Sequence, residues 1–153
     1  MRSLLSPFLA LLLLFIAVGC DSNDDGNSAQ ERFQGTWALS GISDTEGNKL
    51  PLFLQLYNGV SANFTTSGGF ILDVDAIDTP DITLEGTYTI TEAVDRIILS
   101  AVVTGLGTVP LTFTYSFASD TSVTLTSDST TSTLLNTMLG TTLVGNVTMT
   151  LSK

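Results

Sequence analysis

The side chains best placed to do chemistry are one cysteine and one run of acids. Cys20 is the only cysteine in the 153 residues, so no intramolecular disulfide exists. A lone thiol can stay free, pair between chains or be modified. The acids Asp73, Asp75, Asp78 and Asp81 lie close together, and oxygen ligands at such spacing suit Ca²⁺. The segment lacks the glycine at the sixth position and the distal glutamate of an EF-hand loop, and Asp73 and Asp75 fall on the wet face of a strand. Solvated acids, with no metal site, are therefore the expectation.

Catalytic chemistry is harder to build. The chain has no histidine, so it has no histidine base, no histidine metal ligand and no Ser-His-Asp triad. No Gly-rich phosphate loop or Walker lysine occurs. A carboxylate pair can cleave a glycosidic bond, but no pair is singled out. The expectation is a protein that is not an enzyme and uses no cofactor.

Charge narrows the partners. All 15 acidic residues follow Gly19, against four basic ones, Arg32, Lys49, Arg96 and Lys153. That balance excludes a nucleic-acid patch, which needs clustered Lys and Arg. It also argues against electrostatic docking to anionic lipid. Cationic partners remain open, and surface acids also serve solubility.

Chain organisation follows from hydropathy. After the positive start at Arg2, Phe8 to Val18 is an unbroken apolar run. It is shorter than the roughly 20 residues of a transmembrane helix and fits the roughly 7–15 residues of a signal-peptide core. Residues 1–19 are thus expected to be a signal peptide. Asp21 to Gln30 is polar and acidic and can bury nothing, so residues 20–32 read as a flexible tether.

From Phe33 the pattern changes to period two. Leu111, Phe113, Tyr115 and Phe117 alternate with Thr112, Thr114 and Ser116. Ile82, Leu84, Gly86, Tyr88 and Ile90 alternate with polar residues, as do Val123 with Leu125, and Val147 with Met149 and Leu151. Strands are expected near 34–42, 49–57, 60–66, 69–75, 82–91, 95–104, 109–119, 121–127 and 143–152. The second and third form one bent strand or a hairpin. Residues 97–103, nearly all apolar, suggest a strand covered on both faces. Leu134, Leu135 and Met138 fall at helical spacing before Gly140, so one short helix or loop is expected near 131–140. Short strands with short links favour an all-β, antiparallel, up-and-down meander barrel of about eight strands, in which closure removes the edges.

Two resemblances add to this. Ala17-Val18-Gly19-Cys20 resembles the bacterial lipobox. It implies cleavage before Cys20, lipid on its sulfur, and a lipoprotein anchored in the bacterial cell envelope at the outer membrane, periplasmic or surface-exposed. Gly35-Thr36-Trp37, with Gly86-Thr87-Tyr88, resembles the motifs of lipocalin-like barrels over residues 33–153. That resemblance implies that Trp37 plugs the closed end. Lipocalins pack an arginine over this tryptophan, and here Arg96 and Lys153 are the candidates.

An eight-stranded barrel either fills its interior or holds one small ligand. If it holds a small hydrophobic ligand, Leu54, Leu56, Phe70, Leu84, Tyr88, Phe113, Tyr115 and Phe117 are the expected lining. If the core is solid, the loops become the working surface, for a protein or glycan partner.

Overall fold

The computed structural model describes residues 27–153. The elements are α1 (Ala29–Phe33), β1 (Gly35–Asp44), β2 (Gly47–Asn48), α2 (Leu50–Phe53), β3 (Tyr57–Phe64), β4 (Gly69–Ala76) and β5 (Ile82–Thr91). A 3₁₀ turn (Glu92–Val94), β6 (Arg96–Val103), β7 (Gly107–Ser119), β8 (Ser122–Ser127), α3 (Ser129–Leu139) and β9 (Thr148–Ser152) complete the chain.

Every strand pairs antiparallel with its neighbours in the order β1-β3-β4-β5-β6-β7-β8-β9, and β9 returns to β1. The result is the expected closed, up-and-down, eight-stranded barrel. Closure runs through Ala38 opposite Ser152 to Ser43 opposite Thr148, with a bulge between Leu39 and Gly41. The two-residue β2 pairs only with β1 and stands outside the ring.

Alternation decides the faces. On β7, Leu111, Phe113 and Tyr115 are buried while Thr114 and Ser116 are exposed. On β5, Leu84 and Tyr88 are buried while Thr83, Glu85, Thr87 and Thr89 are exposed. Threonine suits the wet face because its branched Cβ fits a pleated strand.

The structure departs from expectation in several segments. Of the strand expected at 49–57, only Tyr57 is in a strand, as the first residue of β3. Pro51 starts the one-turn helix α2, and the buried side chains are Phe53 and Tyr57, four residues apart. The leucines that alternate in sequence face outward, with Leu52, Leu54 and Leu56 about half exposed. The strand expected at 143–152 is confined to Thr148–Ser152, although Leu143 and Val147 are buried in the loop before it. β6 is not covered on both faces: Ile97, Leu99 and Ala101 are buried, but Val102 is exposed. The helix α1 (Ala29–Phe33), with Ser28 as its N-cap, overlaps the end of the expected tether. Ser28 and Glu31 cap each other's backbone in a capping box. The helix expected near 131–140 is present as α3, which stops at Gly140 in a left-handed conformation (φ 59°).

Candidate ligand cavity

The barrel interior has two unlike ends. At one end α1 drives Phe33 into the ring of strands. Phe33 and Trp37 are both fully buried. The ring of Phe33 meets Phe117 at 4.9 Å, Tyr115 at 5.3 Å, Phe64 at 5.5 Å and Trp37 at 6.4 Å between centroids. Tilted and edge-on pairs like these gain beyond their buried area. Trp37 Nε1 donates to the Phe33 carbonyl at 2.6 Å, which ties β1 to α1. Trp37 therefore plugs this end. The cation over it is Lys153, whose Nζ lies 4.4 Å from the indole and donates to the Arg32 carbonyl at 2.9 Å. Arg96, the other candidate, lies exposed at the start of β6.

At the other end α3 crosses the mouth. Asp128 caps it by accepting from Thr131 N at 2.7 Å. Its apolar side sends Leu135, Met138 and Leu139 into the interior. Buried polar groups hold the helix down. Thr131 Oγ1 accepts from Thr112 N of β7 at 2.8 Å, and Ser127 Oγ accepts from Val147 N at 2.8 Å. The Asn136 amide donates to Leu143 O at 2.7 Å and accepts from Leu143 N at 2.8 Å. The Tyr57 hydroxyl, whose pKa burial pushes up, donates to Leu139 O.

These bonds give a direct prediction. Thr131→Val keeps the volume but leaves the Thr112 N–H unpaired in the interior, where such a group costs about 1–3 kcal/mol. Urea unfolding should show a lower midpoint with an unchanged slope, the shift being that loss divided by the slope. No shift would mean that the helix is not fastened there.

Between plug and lid lies a cavity of about 70 Å³. Its lining is entirely apolar and draws on every strand of the ring, α2 and α3. The plug end is filled by rings, whereas Leu72, Leu99, Leu125, Leu135, Met138 and Met149 leave this void at the lid end. Outside it, a groove of about 160 Å³ runs between α2 and residues 140–143. Phe53 lines both spaces and so forms the partition between them. Exposed Leu52 and Leu56 line the groove, and the N–H of exposed Ile77 donates to Leu56 O at 3.1 Å. On the far side of the groove, Asp44 holds the loop before β9. It accepts from Val144 N and from Glu46 N, both at 2.9 Å, with Lys49 Nζ 3.4 Å away. Burial raises the pKa of this carboxyl, but those partners outweigh it and leave it below the usual value.

The residues expected to line a ligand site divide. Leu84 and Phe113 line the cavity. Phe70, Tyr88, Tyr115 and Phe117 also point inward but belong to the aromatic plug, stacked around Phe64 and Phe33. Leu54 and Leu56 lie outside the barrel, because α2 and its turn replace the expected strand. Sequence reasoning did not assign Leu39, Ile42, Phe53, Met138 or Met149 to the lining. The spacing of Phe53 and Tyr57, with Pro51 ahead of them, was the available signal for α2.

The acids of Asp73–Asp81 are engaged locally. Asp73 accepts from the Thr83 hydroxyl, Asp75 from the Asn58 amide and Asp81 from Ala76 N. Among the described residues no group of three or more Cys, Asp or Glu side chains is placed to hold a metal ion. Cys20 and the expected signal peptide lie outside the described residues. No described helix is long and apolar enough to cross a membrane.

The molecule is, as a class, an eight-stranded antiparallel β-barrel. Among solved structures it is similar to a redesigned beta barrel at 15% identity. That match covers 82% of this chain and 94% of the other, with a TM-score of 0.49. No protein-family model and no curated protein matches the sequence.

Proposed function

We propose that this chain is a bacterial envelope lipoprotein, cut before Cys20 and anchored through lipid on that residue, whose barrel binds a small hydrophobic ligand beneath α3. The observation that supports the binding role is the unbroken apolar lining under a helical lid. Such a space stays dry, and a dry cavity of about 150 Å³ accepts benzene. At 70 Å³ the closed chamber is smaller than that. Entry therefore requires Met138 and Met149, the most deformable side chains of the wall, to move, together with α3. With no polar atom to orient a head group, the ligand is hydrocarbon in character, such as an alkyl or acyl chain. The reading includes no catalytic role and no cofactor.

Native mass spectrometry of protein purified gently from its host envelope tests both halves. The expected spectrum shows a polypeptide beginning at Cys20 with covalent acyl mass, plus a second, non-covalent mass that leaves on collisional activation. Acyl mass without the second species would retain the anchor and remove the ligand. A polypeptide with intact residues 1–19 would remove the anchor.

A second reading rests on the exposed rim. Leu52 and Leu56 line the groove as exposed apolar side chains, with exposed Leu54 on the same turn and Ile77 hydrogen-bonded to it. Such patches mark contact surfaces, and an acidic tether would let the barrel reach a protein or glycan partner. A bare non-covalent spectrum would favour this reading.

A further inference from the structure

The plugged end carries polar chemistry that neither reading uses. A cleft of about 470 Å³ opens between α1, the 3₁₀ turn and β7, and Arg32, Glu92, Asp95 and Tyr115 line it. Tyr115 is only 7% exposed, but its hydroxyl oxygen reaches the cleft, where it makes no hydrogen bond to any described residue. Its ring is clamped edge-on against Phe33 at 5.3 Å and Phe117 at 5.5 Å, so the direction of the hydroxyl is fixed. The other buried tyrosines, Tyr57 and Tyr88, both donate to a carbonyl.

Arg32 is held from two sides, by a ring and by an ion pair with the exposed Asp120. Its guanidinium lies on the Phe117 ring at 3.9 Å. Nε is 3.1 Å from Asp120 Oδ1, but the N–H is not aimed at it, and this buried nitrogen has no hydrogen bond. Asp95 is the one non-glycine described residue with positive φ (46°), and its carboxylate has no hydrogen-bond partner among the described residues. Its carbonyl is fixed by Tyr115 N at 2.7 Å. Glu92 uses Oε1 on Ala29 N at 2.8 Å and keeps its second oxygen.

The cleft thus offers a planar donor fork, two carboxylates and a hydroxyl that can donate or accept. A guanidinium fork matches a carboxylate or phosphate. Asp95 and Glu92 match an ammonium and repel a simple anion, while Arg32 repels a simple cation. Burial first, then the charges of Asp95 and Glu92, push the Tyr115 hydroxyl pKa up from its ordinary value against the opposing pull of Arg32.

We propose that this cleft binds a small zwitterion, with its phosphate or carboxylate on Arg32, its primary ammonium on Asp95 and Glu92, and the Tyr115 hydroxyl between them. The same chemistry occurs free, in amino acids and phosphoethanolamine, and in the headgroup of an aminophospholipid. Asn27 and Ser28 line the cleft, so it stands where the expected tether meets the barrel.

Calorimetric titration of the whole purified protein with O-phosphoethanolamine is the test. Binding is expected, with inorganic phosphate, ethanolamine and phosphocholine each weaker by about tenfold or more, since each lacks a charge-assisted contact. Tyr115→Phe keeps the ring in the plug and should weaken binding by about tenfold. Asp95→Asn, which tolerates the left-handed backbone, should weaken it at least as much. Competition by phosphatidylethanolamine vesicles but not by phosphatidylcholine vesicles would assign the headgroup as the source. Competition by neither would assign the free molecule. No binding, binding equal to that of phosphate alone, or binding unchanged in Tyr115→Phe would overturn the proposal.

Discussion

Gly86→Ala is expected to destabilise the barrel by about 3 kcal/mol or more, at the upper end of overpacking costs. Gly86 lies in the middle of β5 on its inward side, paired with Phe70 of β4 and Ala101 of β6. A Cβ built there would sit 2.0 Å from the Ser100 carbonyl oxygen and 2.9 Å from the Phe70 ring. The ring could turn, but the carbonyl belongs to the backbone of β6 and moves only if the sheet does. A glycine inside a strand often marks such a close backbone approach. The loss should appear in thermal unfolding as a fall of roughly 10 °C in Tm. Gly59→Ala is the control, since a Cβ there meets nothing within 4 Å. Equal stability of the two variants would contradict the packing at β5–β6.

Phe33→Ala should rival it, at about 3–5 kcal/mol for removing a fully buried phenylalanine. Phe33 is the one aromatic of the plug supplied by α1, and its loss takes away the ring against which Tyr115, Phe117 and Phe64 are set. The single tryptophan of the chain makes this measurable. Trp37 sits beside Phe33 and is fully buried, so opening the plug should shift its emission to the red before global unfolding. Phe33→Leu should recover part of the stability and most of the emission. A loss below about 1 kcal/mol would mean that α1 is an appendage and not part of the core.

The barrel was legible where one face is wet. On β5, on β8 and from Leu111 to Phe117 of β7 every second residue is polar, and period two leaves no other choice. It was misleading at Leu50 to Leu56. There the leucines alternate only in sequence, because a proline-started turn places Phe53 and Tyr57 inward and the leucines outward. The helix α1 was hidden because five residues carry too short a periodicity, although the Ser28 and Glu31 pair was a cap signal. The candidate site was half legible for a different reason. Alternation reports which face a side chain takes but not its depth along the barrel axis. Phe113, Tyr115 and Phe117 share one face of β7, yet the first lines the cavity and the others close the plug. The cation over Trp37 was narrowed to Arg96 or Lys153, and only closure of β9 onto β1 places Lys153 there.

The pairing of β9 with β1 also dictates an order of events in time. Ala38 must find Ser152, and no intermediate contact can stand in for that seam. While the chain is being made, β1 waits with one edge unpaired until the last strand is released. Pairings this distant carry a large loop-closure cost and place the protein among the slow folders, in milliseconds to seconds. A chain that cannot complete its ring early stays open, with two bare strand edges, for as long as its last strand is missing. The same interval is when its bare edges most need a chaperone.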